Sequence, residues 1–81
     1  MLLCIRSDRG IERLTVASYR EASEKVRGLI ERYDLTAGCS NTGNAFHLAT
    51  IASVGPHGRP LATVSYNGRV WACKDGKEIG V

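Results

Sequence analysis

Residues 18–34, SYREASEKVRGLIERYD, decide how this chain is built. Ser18 and Glu21 have the spacing of a capping box, in which hydroxyl and carboxylate each satisfy a free backbone N–H at a helix start. At about 100° per residue, Tyr19, Ala22, Val26, Leu29, Ile30 and Tyr33 share one arc of ~120°, and the charged residues lie outside it. The stretch therefore predicts an amphipathic helix over 18–34 with a single buried face. On its outer face Glu21 with Lys25, and Arg27 with Glu31, stand four apart and give modest mutual support. That face also carries Gly28, which costs about 1 kcal/mol relative to alanine in a helix interior.

Working outward, Leu2–Arg6 is apolar and runs into the polar turn Ser7-Asp8-Arg9-Gly10, after which Ile11–Val16 resumes with strand-forming residues. Residues 1–17 thus read as a β-hairpin. Beyond the helix, Leu35–Ala45 (LTAGCSNTGNA) shows no periodicity and reads as a long loop, the place where binding residues tend to sit. Strand-like runs follow at Phe46–Val54, Leu61–Tyr66 and Arg69–Cys73, separated by GPHGRP and by Asn67-Gly68. Asn-Gly suits a two-residue turn with positive φ at both positions. That turn predicts Tyr66 opposite Arg69, Val64 opposite Trp71 and Ala62 opposite Cys73, on a face bulky enough to carry the helix. Trp71 is then a core residue, as are Cys4 and Cys73. The expected fold is α+β, one domain over 1–81, with a single amphipathic helix packed on an antiparallel sheet in the order ββαβββ, its last three strands within 46–73.

Composition narrows function further. The chain has 81 residues, is 43% hydrophobic and 23% charged, and carries a net charge of +3. One core of this size leaves a net stability of only about 3–5 kcal/mol, which makes a cleft built from several loops hard to support. The helix is charge-balanced, so the basic excess falls on the sheet and its turns, facing nucleic acid or an acidic protein surface. Cys4, Cys39 and Cys73 cannot all pair within one chain, and a short N-terminal apolar run resembles a strand rather than a leader or a span. A cytoplasmic location without membrane contact is the expectation.

No catalytic, metal or cofactor set emerges. Cys39 with His47 or His57 lacks an orienting third group and any nucleophile signature. Cys39, His47, His57 and Cys73 lack the short paired spacings of zinc modules. Gly38–Gly43 lacks the lysine that follows a phosphate-binding loop. The chain is therefore expected to be a non-enzyme without cofactor that binds a protein partner, with Asn41, Thr42 and Asn44 of the loop together with Arg59 and Arg69 as contact residues; it is also a possible homodimer. The alternative is a nucleic-acid-binding domain in which Tyr66 and Trp71 stack on bases and arginines meet phosphates on the basic side of the sheet.

The segment Tyr19–Leu35, YREASEKVRGLIERYDL, followed by VSYNGRVW at Val64–Trp71, resembles small uncharacterised proteins of bacterial mobile elements and phages. In size and organisation the chain is similar to anti-CRISPR proteins, which implies an inhibitor that docks on a host nucleoprotein effector complex. The resemblance assigns no residue a role. A basic chain departs from the acidic, DNA-mimicking members of that group and implies instead cover for an acidic or apolar protein face.

Overall fold

The computed structural model describes residues 1–37, 43–55 and 57–81. Its elements are β1 (Leu2–Ser7), β2 (Gly10–Thr15), α1 (Tyr19–Tyr33), β3 (Thr36–Ala37), β4 (Ala45–Ala52), β5 (Pro60–Val64), β6 (Val70–Ala72) and β7 (Glu78–Ile79). The sheet runs β2-β1-β4-β5-β6-β7, antiparallel throughout, with β3 added parallel to the start of β4. The α+β class and single helix are as expected. The strand count is higher, because the two-residue pieces β3 and β7 are too short to leave a periodic trace in sequence.

The helix forms where its cap residues require. Ser18 Oγ accepts from Glu21 N–H at 3.1 Å, and the Glu21 carboxylate reaches back to Ala17 N–H at 2.9 Å, one residue before the cap. At the other end Asp34 takes the left-handed conformation (φ 51°), and Leu35 N–H donates to Ile30 O at 2.9 Å, the six-to-one closure of a Schellman turn. Ala22 and Val26 are fully buried, with Tyr19, Leu29, Ile30 and Tyr33 packed around them. They rest on Leu3, Ile5, Ala49, Ile51, Ala62, Val64 and Val70 from the helix-facing side of the sheet.

The hairpin between β5 and β6 departs from expectation. Ser65 N–H donates to Arg69 O and Gly68 N–H to Ser65 O, each at 2.9 Å, and Gly68 has φ 84°. The loop is thus Tyr66-Asn67-Gly68, a tight turn closed by a glycine bulge, not a two-residue Asn-Gly turn. The observed register pairs Val64 with Val70, Thr63 with Trp71 and Ala62 with Ala72. One extra loop residue shifts the pairing by one and sends each side chain of β6 to the other face. Val70 takes the core position, fully buried, and Trp71 turns outward, half-buried on the side away from the helix. Cys4 is likewise half-buried on the outer side and Cys73 is exposed, so neither is a core residue.

The hairpin tip is held against α1 by Ser23, whose hydroxyl donates to Gly68 O at 2.5 Å from a buried position. Among the described residues, no helix is long and apolar enough to cross a membrane.

Candidate functional site: the open face of the sheet

The helix packs over β4 and β5 from one side only, so the alternate residues of each strand face outward with no covering element among those described. Register places them in rows. One row crosses the sheet from edge to edge: Arg13 beside Cys4, then Thr50, Thr63, Trp71 and Glu78. A second, on the side of the β1–β2 turn, runs Ile11, Arg6, Leu48; a third, opposite, runs Thr15, Leu2, Ala52. Ile11 and Leu48 are 51% and 44% exposed, far more than large aliphatics usually are.

The indole of Trp71 is oriented locally. Its Nε1–H points to Ser65 Oγ at 3.4 Å, and Ser65 Oγ in turn donates to Asn67 Oδ1 at 2.5 Å. Arg69 N–H donates to the same Asn67 oxygen at 3.2 Å, so the turn that sets register also fixes the ring's setting. Arg69 lies 3.9 Å from Glu78, an exposed pair of little energetic weight, while among the described residues Arg6 and Arg13 flank the face without an acidic partner. The face is therefore threonine-rich at its centre, with arginines along its margins.

Tyr66 does not join Trp71. Its hydroxyl donates to Leu35 O at 3.1 Å, and its ring lies 6.3 Å from that of Phe46, a core residue. The two aromatics expected to share one face of the hairpin thus belong to different parts of the molecule. Of the expected contact residues, Arg69 borders the open face. Arg59 lies in the loop before β5, where its backbone binds Ser53, N–H to Oγ at 2.8 Å. Asn44 uses its carbonyl to accept from Thr36 N–H at 2.8 Å and so joins β3 to β4. Asn41, Thr42 and Cys39 lie outside the described residues.

A second polar constellation escaped the sequence reading. Asp8, in the β1–β2 turn, accepts from Ala45 N–H at 3.0 Å through Oδ2 and meets His47 Nε2 at 2.6 Å through Oδ1. The Ala45 N–H and, after it, His47 hold the Asp8 carboxyl below its ordinary value. A register shift in β4, opposite Arg6 and Ser7, sets His47 out of the ladder so that it reaches the turn. The pair serves as a clasp between hairpin and β4. His57 and Cys73 are exposed, and no group of three metal-ligating side chains forms among the described residues.

The chain matches no family model, no curated protein and no solved structure.

The row through Trp71 depends on a three-residue loop, which Asn67-Gly68 by itself does not distinguish from a two-residue one. Pairing Val64 with Val70 puts two β-branched residues together on one face, a signal that was present in the sequence.

Proposed function

We propose that this protein is a non-catalytic binding module whose open sheet face docks on another protein. The observation that carries the reading is the edge-to-edge row Arg13–Cys4–Thr50–Thr63–Trp71–Glu78, flanked by exposed Leu48 and Ile11. A half-buried tryptophan on a face that also carries exposed aliphatics and arginines has the composition of an interface hot spot. The arginines favour a partner with an acidic rim. In its narrower form the reading follows the phage-protein resemblance: the partner is a host nucleoprotein effector complex, met in the cytoplasm and blocked by occupation of its surface.

A nucleic-acid partner is the second reading, favoured by Arg69 beside Trp71 and by Arg6 and Arg13 toward the other edge of the same face. It is weakened by the separation of Tyr66, which leaves one aromatic ring where single-strand binders stack several bases.

The deciding experiment captures partners on wild type and on a Leu48→Glu, Trp71→Ser variant, with washes at low and high salt, beside a titration of both proteins with an unstructured oligonucleotide. A protein retained at high salt by the wild type and lost by the variant supports docking through this face. Oligonucleotide binding that falls steeply with salt, with no protein retained, moves the assignment to nucleic acid. Identical capture by both proteins overturns the open face as the site.

A further inference from the structure

A different surface, the free edge of β2, carries its own chemistry. Val16 N–H donates to Met1 O at 2.8 Å and Met1 N to Val16 O at 2.9 Å, which makes Met1–Val16 a hydrogen-bonded pair. In an antiparallel ladder such pairs alternate, so Leu14, Glu12 and Gly10 also bond inward to β1 through their register partners Leu3, Ile5 and Ser7. Ile11, Arg13 and Thr15 therefore turn their N–H and C=O groups away from β1, and among the described residues β2 ends the sheet with no strand beyond it. An uncovered edge of this kind is a template for one more strand.

The helix side of this edge is open too. Because α1 lies over β4 and β5, a cleft separates it from β2, in two hollows of about 300 and 440 Å³ that share Glu12 and Leu29. Leu14 and Leu29 line the larger hollow, and Gly28 presents it with a bare helix surface where an added Cβ would meet nothing within 4 Å. At the end of the smaller one, Arg9 lies 4.2 Å over the Tyr33 ring and Arg32 lies 5.5 Å from it. Arg9, Lys25 and Arg32 border the two hollows against Glu12 and Glu24, the last standing 3.6 Å from Arg20, so the rim carries a small cationic excess.

A second copy of the chain fits this edge poorly. Its outward-bonding positions are odd-numbered, so an antiparallel pair centred on the strand sets Arg13 against Arg13, or, one step along, Glu12 against Glu12. Like charges directly opposite are destabilising. Centring on Leu14 keeps only Arg13 and Thr15 in the ladder.

We propose that the β2 edge and the adjoining cleft take an extended acidic and apolar peptide segment of a partner protein as an added β-strand. Its backbone bonds Ile11, Arg13 and Thr15; alternate aliphatic side chains enter the cleft against Leu14, Leu29 and Gly28, and the carboxylates between them face Arg13. This is strand addition between an edge strand and a helix, at the far edge of the sheet from Trp71, and it shares only Arg13 with the row through Trp71.

The test titrates the folded protein with an acetylated peptide of about seven residues, long enough to span the edge, in which leucine or valine alternates with aspartate or threonine. Backbone NMR and amide hydrogen exchange follow each site. The expected result is saturable binding in which the amides of Ile11, Arg13 and Thr15 become protected. The same peptide N-methylated on its bonding edge should bind at least about tenfold more weakly, as should Arg13→Pro, which removes an outward N–H that β1 does not use. Equal binding of the N-methylated peptide overturns the proposal even if the proline variant fails to fold. So does an absence of shifts at β2 up to millimolar peptide, or protection of these amides by self-association alone. The two surfaces fail separately, since the peptide reports on β2 amides and partner capture reports on Trp71 and Leu48.

Discussion

Replacing Gly68 by alanine probes the turn on which the placement of Trp71 depends. Gly68 has φ +84°, in the left-handed region, where an L side chain costs roughly 1–2 kcal/mol. The added Cβ would stand 2.5 and 2.8 Å from Arg27 Cδ and Cγ, and 3.2 Å from Ser23 Oγ. The Arg27 side chain is exposed and can swing aside at little cost. Ser23 has less freedom, being 7% exposed and donating to Gly68 O at 2.5 Å. Moving the turn away from the helix stretches that buried bond and adds about 1 kcal/mol. The expected loss is therefore about 2–3 kcal/mol, or a fall in Tm of roughly 8–24 °C for a domain of this size. Thermal and urea denaturation followed by circular dichroism measure it, with the urea slope unchanged if only the native state is affected. In a double-mutant cycle, Arg27→Ala should return about 0.5 kcal/mol, the part due to side-chain overlap, and leave the backbone part in place. A loss below about 0.5 kcal/mol, or full rescue by Arg27→Ala, would refute the reasoning that a left-handed glycine governs this turn.

Two further outcomes follow from residues outside the core. Asp8 has its carboxyl lowered from 3.8 by the Ala45 N–H and His47; a depressed carboxyl adds stability that is fully present above its unfolded value and is lost as pH falls through the folded one. Asp8→Asn should accordingly flatten the decline of Tm below pH 4 and change little of its shape near neutrality, and an unaltered acid slope would sink the clasp. Trp71→Ser should cost only about 1–2 kcal/mol, against ~3–5 for truncating a buried aromatic, and the Trp71 fluorescence should be readily quenched by acrylamide; a core-sized loss with a shielded indole would return Trp71 to the interior.

The helix was legible because its information is local. Cap, charged face and apolar arc all lie within Ser18–Asp34, and each agrees with the others. The first hairpin was legible for the same reason, its turn Asp8-Arg9 joining strands that pair from Leu2–Thr15 to Ser7–Gly10. What failed was non-local. The side of the sheet on which Trp71 sits depends on the whole loop from Ser65 to Arg69, and Asn67-Gly68 serves equally in a two-residue turn or a three-residue one. The Asp8–His47 contact joins residues 39 apart and needs the β4 register shift, which has no sequence signature. The loop after the helix stands out in sequence by its lack of periodicity, whereas the outward rows come from strand parity, which is known only once register is known.

The glycine-closed turn between β5 and β6 acts as a parity switch, and this alters what counts as a harmless change. Surface turns ordinarily absorb insertions and deletions with little consequence. Here the number of residues between Val64 and Val70 decides whether an indole or an isopropyl group is shown to the outside, so removing one residue of the turn would exchange the contents of β6 between interior and surface while leaving its composition untouched. Among variants of this protein, the length of that segment should accordingly be held more tightly than the identity of most residues within it.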